Sequence, residues 1–245
     1  KYKLPYSNDD ISFITQHITN VLKKGYLTDG GDYVNLVEKL WAAYINTDYS
    51  VAVNSCTTAL ELALKVIGVE NSSVIVPTYT FFATPLSVHN AGGKVIYADI
   101  DSNTLSLSLE SIKKCITSDT KVIIIVHVGG YITDDIFNIR DYCKQNNIVL
   151  LEDAACAILS ELNNKKIGNF SDITCFSFHH RKLLNTGEGG AISTNSDEYS
   201  EVLKIKLAAG ASGRDEVGLK FSDFGFNYRM TEIQALMGWK QLKII

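Results

Sequence analysis

The sequence lacks the features that mark several classes of protein. No apolar stretch approaches the roughly 20 residues that span a bilayer, and the first residues have neither the basic start nor the apolar core of a signal peptide. The sequence also has no run rich in lysine and arginine, and its net charge is −4, from 23 basic and 27 acidic residues. We therefore expect neither a nucleic acid nor a membrane as a partner.

Cysteine pairs of the kind that bind zinc or exchange electrons are also absent. The five cysteines lie far apart, and no two have the CxxC spacing of such sites. An odd number of scattered cysteines favours a reducing compartment, so the sequence predicts a cytoplasmic protein without a metal site. The cysteines are Cys56, Cys115, Cys143, Cys156 and Cys175.

The composition is that of an ordinary globular protein. Of the 245 residues, 46% are hydrophobic and 20% are charged, which suits a large core and excludes a disordered or fibrous chain. We find no internal repeat. The chain begins at Lys1 without a methionine, which favours a fragment of a longer protein.

Short apolar runs alternate with longer amphipathic runs from about residue 50 onward. SVIVP, KVIIIVHV and IVLLEDA are typical of strands, whereas TALELALKVIG and IFNIRDYCKQNN have helical periodicity. This alternation has the spacing of βαβ units. Strands that are apolar at every position indicate a mostly parallel sheet buried on both faces. The predicted fold class is α/β, with a central sheet flanked by helices.

The pattern divides the chain into two parts. Residues 1–48 predict two helices around the glycine-rich turn GYLTDGGD and are interpreted as an N-terminal arm or cap. Residues 49–245 are interpreted as a large domain that ends in a helix. Near its end, the stretch GASGRDEVGLKFSDFG is predicted to be a loop between two helices.

Ligands of open parallel sheets bind beyond the carboxyl ends of the strands, and four such junctions carry polar residues. In the first, Thr57 and Thr58 open a helix whose free N–H groups favour a phosphate, although simple capping is an alternative. In the second, Asp153 follows the strand IVLL, where it would pair with a protonated ring nitrogen or only cap a helix. In the last, Asn227 and Arg229 would grip a phosphate unless Asn227 only caps the final helix.

The third junction, FSFHHRK followed by TGEGG, is the most informative. It delivers Lys182 just past the end of a strand. Partial burial beside cationic groups favours the neutral amine that imine chemistry needs, and His179, His180 and Arg181 are such neighbours. The alternative is an exposed loop of mixed charge.

Taken in order, these segments resemble the DegT/DnrJ/StrS family of nucleotide-sugar aminotransferases, which depend on pyridoxal phosphate (PLP). The family motifs appear here as SCTTAL, VPTYTF, EDAA, FSFHHRK, TGEGG and GFNYRM, in the family's order. The resemblance runs from about Gly25 to the last residue. It implies the large domain of a fold-type-I PLP-dependent transferase.

The resemblance also implies roles for single residues. Lys182 would form the Schiff base with PLP, and Asp153 would pair with the pyridinium nitrogen. Phe81 takes the aromatic position that stacks on the cofactor ring. His179 and Glu188 match family positions near the lysine, where they would support the site and border the substrate.

Other positions match the family's phosphate site. Thr57, Thr58 and Ser177 fall where the family holds the cofactor phosphate. Asn227 falls where it would reach the phosphate of the neighbouring subunit's cofactor. The resemblance therefore implies a homodimer with a shared active site.

The resemblance implies that glutamate donates an amino group that a keto-sugar nucleotide then accepts. The product would be an amino sugar for a surface polysaccharide or a glycosylated metabolite. We expect the turn with Tyr26 and Thr28, together with Arg229, to contact the nucleotide sugar.

Three departures from the family pattern stand out. Cys156 replaces the usual Gln or His near the cofactor's ring oxygen, and Cys is a weak hydrogen-bond partner. His180 replaces a proline, which predicts a less rigid loop. We also expect the family's small C-terminal domain, which follows the last helix in its members, to be absent from this chain.

Two rival functions remain at this point. A PLP-dependent sugar 3-dehydratase of the same family has histidine in place of the lysine, and Lys182 argues against it. A non-catalytic regulatory or assembly relative is the second rival, favoured by Cys156 and by the missing domain.

Overall fold

The computed structural model describes residues 6–28 and 31–243. Within these ranges the chain forms eight α-helices and a short 3₁₀ turn (Val128–Gly130). The helices are α1 (Asn8–Lys24), α2 (Asp32–Ile45), α3 (Cys56–Ile67), α4 (Ala83–Asn90), α5 (Leu109–Cys115), α6 (Ile136–Gln145), α7 (Asp197–Leu207) and α8 (Glu232–Leu242). The strands are β1 (Tyr49–Val53), β2 (Ser73–Pro77), β3 (Lys94–Ala98), β4 (Thr120–Val126), β5 (Val149–Asp153), β6 (Glu161–Leu162), β7 (Lys165–Lys166), β8 (Ile173–Ser177), β9 (Gly190–Thr194), β10 (Ala211–Arg214) and β11 (Leu219–Phe221).

Seven strands form the central sheet, in the order β1-β9-β8-β5-β4-β2-β3. β9 pairs antiparallel with both of its neighbours, and the remaining pairs are parallel. Among the described strands of this sheet, β9 alone therefore runs against the rest. The prediction of an α/β fold with a mostly parallel sheet is confirmed.

Both faces of the sheet are covered, because the inner strands carry apolar side chains on both faces, as in VIIIV of β4. Successive side chains of a strand point to opposite faces, so Ile123 and Ile124 of β4 enter different cores. Ile123 packs in the core that contains Trp41 of α2, and Ile124 packs with Leu60 of α3. Each such side chain contributes about 1.5–3 kcal/mol relative to an exposed one.

Both helices before the sheet pack against α8, and α2 also packs against the core of the sheet. Trp41 is fully buried, with its ring edge-on to Phe176 at 4.9 Å and to Phe178 at 5.1 Å between centroids. The buried carboxylate of Glu232 accepts hydrogen bonds from the N–H groups of Tyr33 (2.7 Å) and Val34 (3.0 Å). These bonds stabilise the first turn of α2, where a negative charge is favourable. The boundary proposed after residue 48 stays a prediction.

The prediction of a loop between the last two helices was wrong in part. β10 and β11 pair antiparallel as a hairpin. β11 has only three residues, all of them exposed, and their apolar–polar alternation is too short to predict a strand. The small hairpin of β6 and β7 was also not predicted, because each of these strands has only two residues.

Among the described residues, no helix has both the length and the apolar character needed to cross a membrane.

Candidate active site

A cavity of about 530 Å³ lies at the edge of the sheet where β1, β2, β4, β5 and β8 end and β9 begins. Its position follows from the topology, because parallel strands bring their carboxyl ends to one edge. The predicted site residues that line it are Thr57, Phe81, Asp153, Cys156, Ser177, His179, Lys182 and Glu188.

Asp153 forms part of the cavity floor at the end of β5. Its carboxylate accepts hydrogen bonds from the Thr84 hydroxyl (2.8 Å) and from the N–H of Ala155 (3.2 Å). Burial raises the pKa of this carboxyl group, although the two hydrogen bonds and the charges of His127 and Lys182 act in the opposite direction. The charged carboxylate is thus under-stabilised, and a cation brought into the cavity would stabilise it.

The side chain of Glu152, the preceding residue, points to the other face of the sheet, where it is hydrogen-bonded to neighbouring side chains. Its carboxylate accepts hydrogen bonds from the hydroxyls of Ser171 (2.6 Å) and Thr174 (2.9 Å). Its other oxygen lies 3.1 Å from Nε2 of His127, which is also buried. This network fixes the end of β5 and the His127 ring, and so holds the cavity floor in place.

Sequence reasoning missed two residues that contact or approach Asp153. His127 directly follows β4, so the search of strand ends that found Asp153 could have found it as well. Thr84 lies in the first turn of α4, and its contact with Asp153 depends on how that helix packs. No local signal in the sequence points to Thr84.

The loop that carries Lys182 is closed by backbone hydrogen bonds across its base. The N–H of Phe178 donates to the carbonyl of Gly189 (2.9 Å), and that of His180 donates to the carbonyl of Gly187 (2.8 Å). A proline at position 180 has no N–H and could not make the second bond. The expected loss of rigidity at His180 is therefore offset by a hydrogen bond that the family's proline cannot form.

Lys182 and Cys156 meet at the rim of the cavity. Nζ of Lys182 lies 3.1 Å from Sγ of Cys156, and the lysine is half-buried while the cysteine is exposed. Nε2 of His179 lies 3.7 Å from a carboxylate oxygen of Glu188. Partial burial lowers the pKa of His179, against the opposing effect of Glu188. The rim is therefore polar and open to solvent, unlike the floor.

The start of α3 and the start of β9 approach each other beside the cavity. Thr57 and the buried Ser177 supply hydroxyl groups there. A Cβ at Gly190 would lie 2.7 Å from the carbonyl oxygen of Phe176 and 2.9 Å from the backbone N of Cys56. Only glycine permits this approach, which leaves hydroxyls and a helix N-terminus facing the cavity.

Two predicted phosphate-binding residues do not line this cavity. The hydroxyl of Thr58 donates to the side-chain oxygen of Asn54 (2.7 Å), because it is drawn into the capping network of α3. Asn227 is exposed, and its backbone pairs with that of Ala208.

The three residues expected to contact the nucleotide sugar also lie elsewhere. Tyr26 lines a cavity of about 590 Å³ between α1 and α2. Thr28 and Arg229 line another, of about 280 Å³, together with Glu38. Residues 29 and 30 of the predicted turn lie outside the described part of the chain.

Residues 8–245 match the model of the DegT/DnrJ/EryC1/StrS aminotransferase family. The chain belongs to this family. It is 32% identical to GDP-perosamine synthase from Vibrio cholerae over 231 residues, which cover 93% of this chain and 62% of that relative. The chain thus spans about three fifths of the length of this relative. The family membership expected from the ordered motifs is confirmed.

Solved structures show the same fold. An aminotransferase from Psychrobacter cryohalolentis superposes with a TM-score of 0.91 at 27% identity, over 99% of this chain and 63% of that one. NtdA from Bacillus subtilis, solved with the bound cofactor PMP, gives 0.88 at 30% identity, over 98% and 56%. The predicted architecture of a fold-type-I PLP-dependent transferase is confirmed, and the cofactor of this family is PLP.

Proposed function

We propose that the protein binds PLP in the cavity at the sheet edge and transfers an amino group from glutamate to a keto-sugar nucleotide. The product would be an amino sugar for a surface polysaccharide or a glycosylated metabolite. One observation carries the proposal: the amine of Lys182 and the buried carboxylate of Asp153 line the same cavity. Relatives that act on nucleotide sugars, such as the Vibrio cholerae synthase, support the substrate class.

The residues of the cavity fit PLP in charge and shape. Asp153 is a desolvated carboxylate that a protonated ring nitrogen would stabilise. Phe81 exposes 67% of its surface, which leaves an aromatic face free for a planar ring. The hydroxyls of Thr57 and Ser177 and the start of α3 suit the phosphate.

Each of these side chains then has a defined role. When bound, PLP supplies an electron sink next to the substrate carbon. Lys182 is the point of covalent attachment and, when its amine is free, the base that takes and returns a proton at that carbon. Asp153 would keep the ring nitrogen protonated, and Phe81 would offer its aromatic face to the ring. His179 and Glu188 border the substrate at the rim.

The proposal includes a second subunit. Asn227 is exposed and outside the cavity of its own chain, which suits a role at the cofactor of a neighbour. Thr58, Tyr26, Thr28 and Arg229 are proposed to act in the same assembly, as further phosphate or nucleotide-sugar contacts. A cytoplasmic homodimer follows as part of the proposal, with residues 1–48 as a cap on the large domain of residues 49–245.

The rival functions differ from this proposal at single residues. A 3-dehydratase of this family has histidine at the position of Lys182, so the lysine favours amino transfer. The regulatory or assembly alternative predicts a protein that does not turn over its cofactor with glutamate.

Covalent attachment of the cofactor is the first test. Purified protein incubated with PLP should absorb in the visible region, and borohydride should remove the band and leave Lys182 modified in peptide mass spectra. Lys182→Arg should lose both signals. Lys121→Arg, whose parent amine donates to the carbonyl of Gly68 far from the cavity, is the matched control and should keep them. Modification of another lysine, or no visible band, would contradict the proposal.

A half-reaction tests the chemistry. Glutamate alone should convert the visible band to that of the aminated cofactor, and a keto-sugar nucleotide should restore it with release of an amino sugar. A stable band that glutamate cannot change would favour the regulatory relative instead.

A further inference from the structure

The pair formed by Cys156 and Lys182 is a contact that the proposed function does not require. Cys156 follows β5 and is exposed, whereas Lys182 comes from the loop after β8. Their Sγ and Nζ atoms are 3.1 Å apart at the cavity rim. Two potential nucleophiles are thus held together at a distance from which only a small displacement is needed to form a bond.

Cys156 also has the surroundings of a reactive cysteine. Such cysteines are partly exposed and lie beside cationic groups. Arg181 and Lys182 line the same cavity rim as Cys156. In contrast, Cys143 and Cys175 are buried, and burial raises the pKa of the Cys143 thiol to about 12. Cys56 and Cys115 are half-buried, so Cys156 is the most exposed of the five cysteines, and an oxidant in solution would react first there.

We propose that Cys156 and Lys182 are a modification site at which a peroxide links the two side chains through a sulfur–nitrogen bond. In the first step, the thiol attacks hydrogen peroxide, the O–O bond breaks, and a sulfenic acid and one water form. In the second, the lysine amine attacks the sulfur, the S–O bond breaks, and a second water leaves with the amine proton. The sulfur loses two electrons in total, and the peroxide takes them up.

The sulfur–nitrogen bond would determine whether Lys182 is available to attach PLP. Lys182 cannot attach PLP while its nitrogen is bound to sulfur, and it cannot attack sulfur while it holds PLP. Cofactor loading and crosslinking therefore exclude each other, a consequence that rests on the proposed function. A thiol reductant should cleave the bond and restore both side chains, as it does for other reversible cysteine oxidation products.

Intact-mass measurement tests the crosslink without any need for activity. Cofactor-free protein treated with hydrogen peroxide should lose the mass of two hydrogens, and its digest should contain one peptide pair joined through Cys156 and Lys182. Dithiothreitol should reverse both changes. Cys156→Ser should show no mass loss, and Lys182→Arg should instead accumulate oxygen on Cys156.

Two further variants separate the link from other oxidation products. Cys115 is half-buried, and its thiol donates to the carbonyl of Tyr97, so Cys115→Ser is the matched control and should crosslink like wild type. Cys56→Ser should also crosslink. A disulfide between Cys56 and Cys156, with the same loss of mass, would overturn the proposal, as would oxygen addition alone in the wild-type protein.

Preloading with PLP separates failure of this proposal from failure of the proposed function. If both hold, PLP suppresses the crosslink in proportion to the visible band. If the protein does not bind PLP, the crosslink still forms and PLP has no effect on it. If the visible band forms in PLP-loaded protein but peroxide never links the pair in cofactor-free protein, only the modification site is wrong.

Discussion

The cavities around Asp153 and Glu38 have similar electrostatics but different chemistry. In each, burial raises the pKa of a carboxyl group, to about 6 for Glu38. Glu38 accepts a hydrogen bond from the N–H of Ala52 (2.8 Å) on the neighbouring strand, and so ties α2 to β1. Asp153 faces a cavity that also holds a lysine and an exposed aromatic ring.

This difference shows that a raised carboxyl pKa alone does not identify an active site. Perturbed groups also occur in structural networks, and the complementary groups around them decide their role. For Asp153 those groups are Lys182 and Phe81, whereas for Glu38 they are the backbone of β1 and the charge of Lys204. Variants of Lys182, Asp153 or Phe81 should therefore change catalysis or cofactor binding without lowering stability. Variants of Glu38 should change stability alone.

The largest effect is expected for Lys182→Ala. Loss of the attachment point and of the catalytic base should lower the rate of amino transfer by about 10³-fold. The side chain belongs to an exposed rim, so the unfolding midpoint in urea should not change. A matching fall in stability would mean that Lys182 is structural, and that the contrast with Glu38 does not hold.

Asp153→Asn should weaken PLP binding without lowering the stability of the cofactor-free protein. Loss of a charged hydrogen bond to the ring nitrogen should weaken PLP binding roughly 10- to 100-fold in a spectroscopic titration. The pKa of Asp153 is raised in the folded protein, so the free energy of unfolding falls as the pH rises and this carboxyl group ionises. The cofactor-free Asn variant should consequently be at least as stable as wild type at neutral pH.

Glu38→Gln should affect only the dependence of stability on pH. The pKa is raised from 4.5 to about 6 in the folded protein, so the folded state binds more protons than the unfolded state between these values. The unfolding free energy of the wild type should fall by about 1–2 kcal/mol across this range relative to the variant. Glutamine can still accept from Ala52. Glu201→Gln, at an exposed position on α7, is the control and should follow wild type.

The smallest effect is expected for Phe81→Ala. Loss of the stacking ring should weaken PLP binding about fivefold, from about 1 kcal/mol of aromatic contact. Phe82 is 65% exposed, packs on Phe81 and does not line the cavity, so Phe82→Ala is a matched control that should leave affinity unchanged. Equal effects of the two variants would remove Phe81 from the proposed site.

The sheet, and the edge of it that carries the polar residues of the cavity, could be predicted from the sequence because both depend on local patterns. SVIVP coincides with β2, and the apolar runs before Asp153 and Ser177 are β5 and β8. The sheet itself places the carboxyl ends of its parallel strands at the cavity, independently of the conformation of the loops. These positions could therefore be assigned from the sequence.

The parts that could not be predicted depend on packing between distant segments. Thr84 contacts Asp153 only because α4 lies against the floor of the cavity, and Thr58 turns into the cap of its own helix. The strands of the β10–β11 hairpin have only four and three residues, too few for a pattern that predicts them. Tyr26 and Arg229 lie at other cavities, and no local pattern specifies which cavity a loop residue borders.

Gly190 makes two halves of the molecule interdependent. The start of β9 touches the turn into α3, although these segments are more than a hundred residues apart in the chain. Any side chain at this point would push the helix that offers its hydroxyls to the cavity away from the hairpin that presents the lysine. The position of α3 and the position of the loop that carries Lys182 are therefore coupled through Gly190.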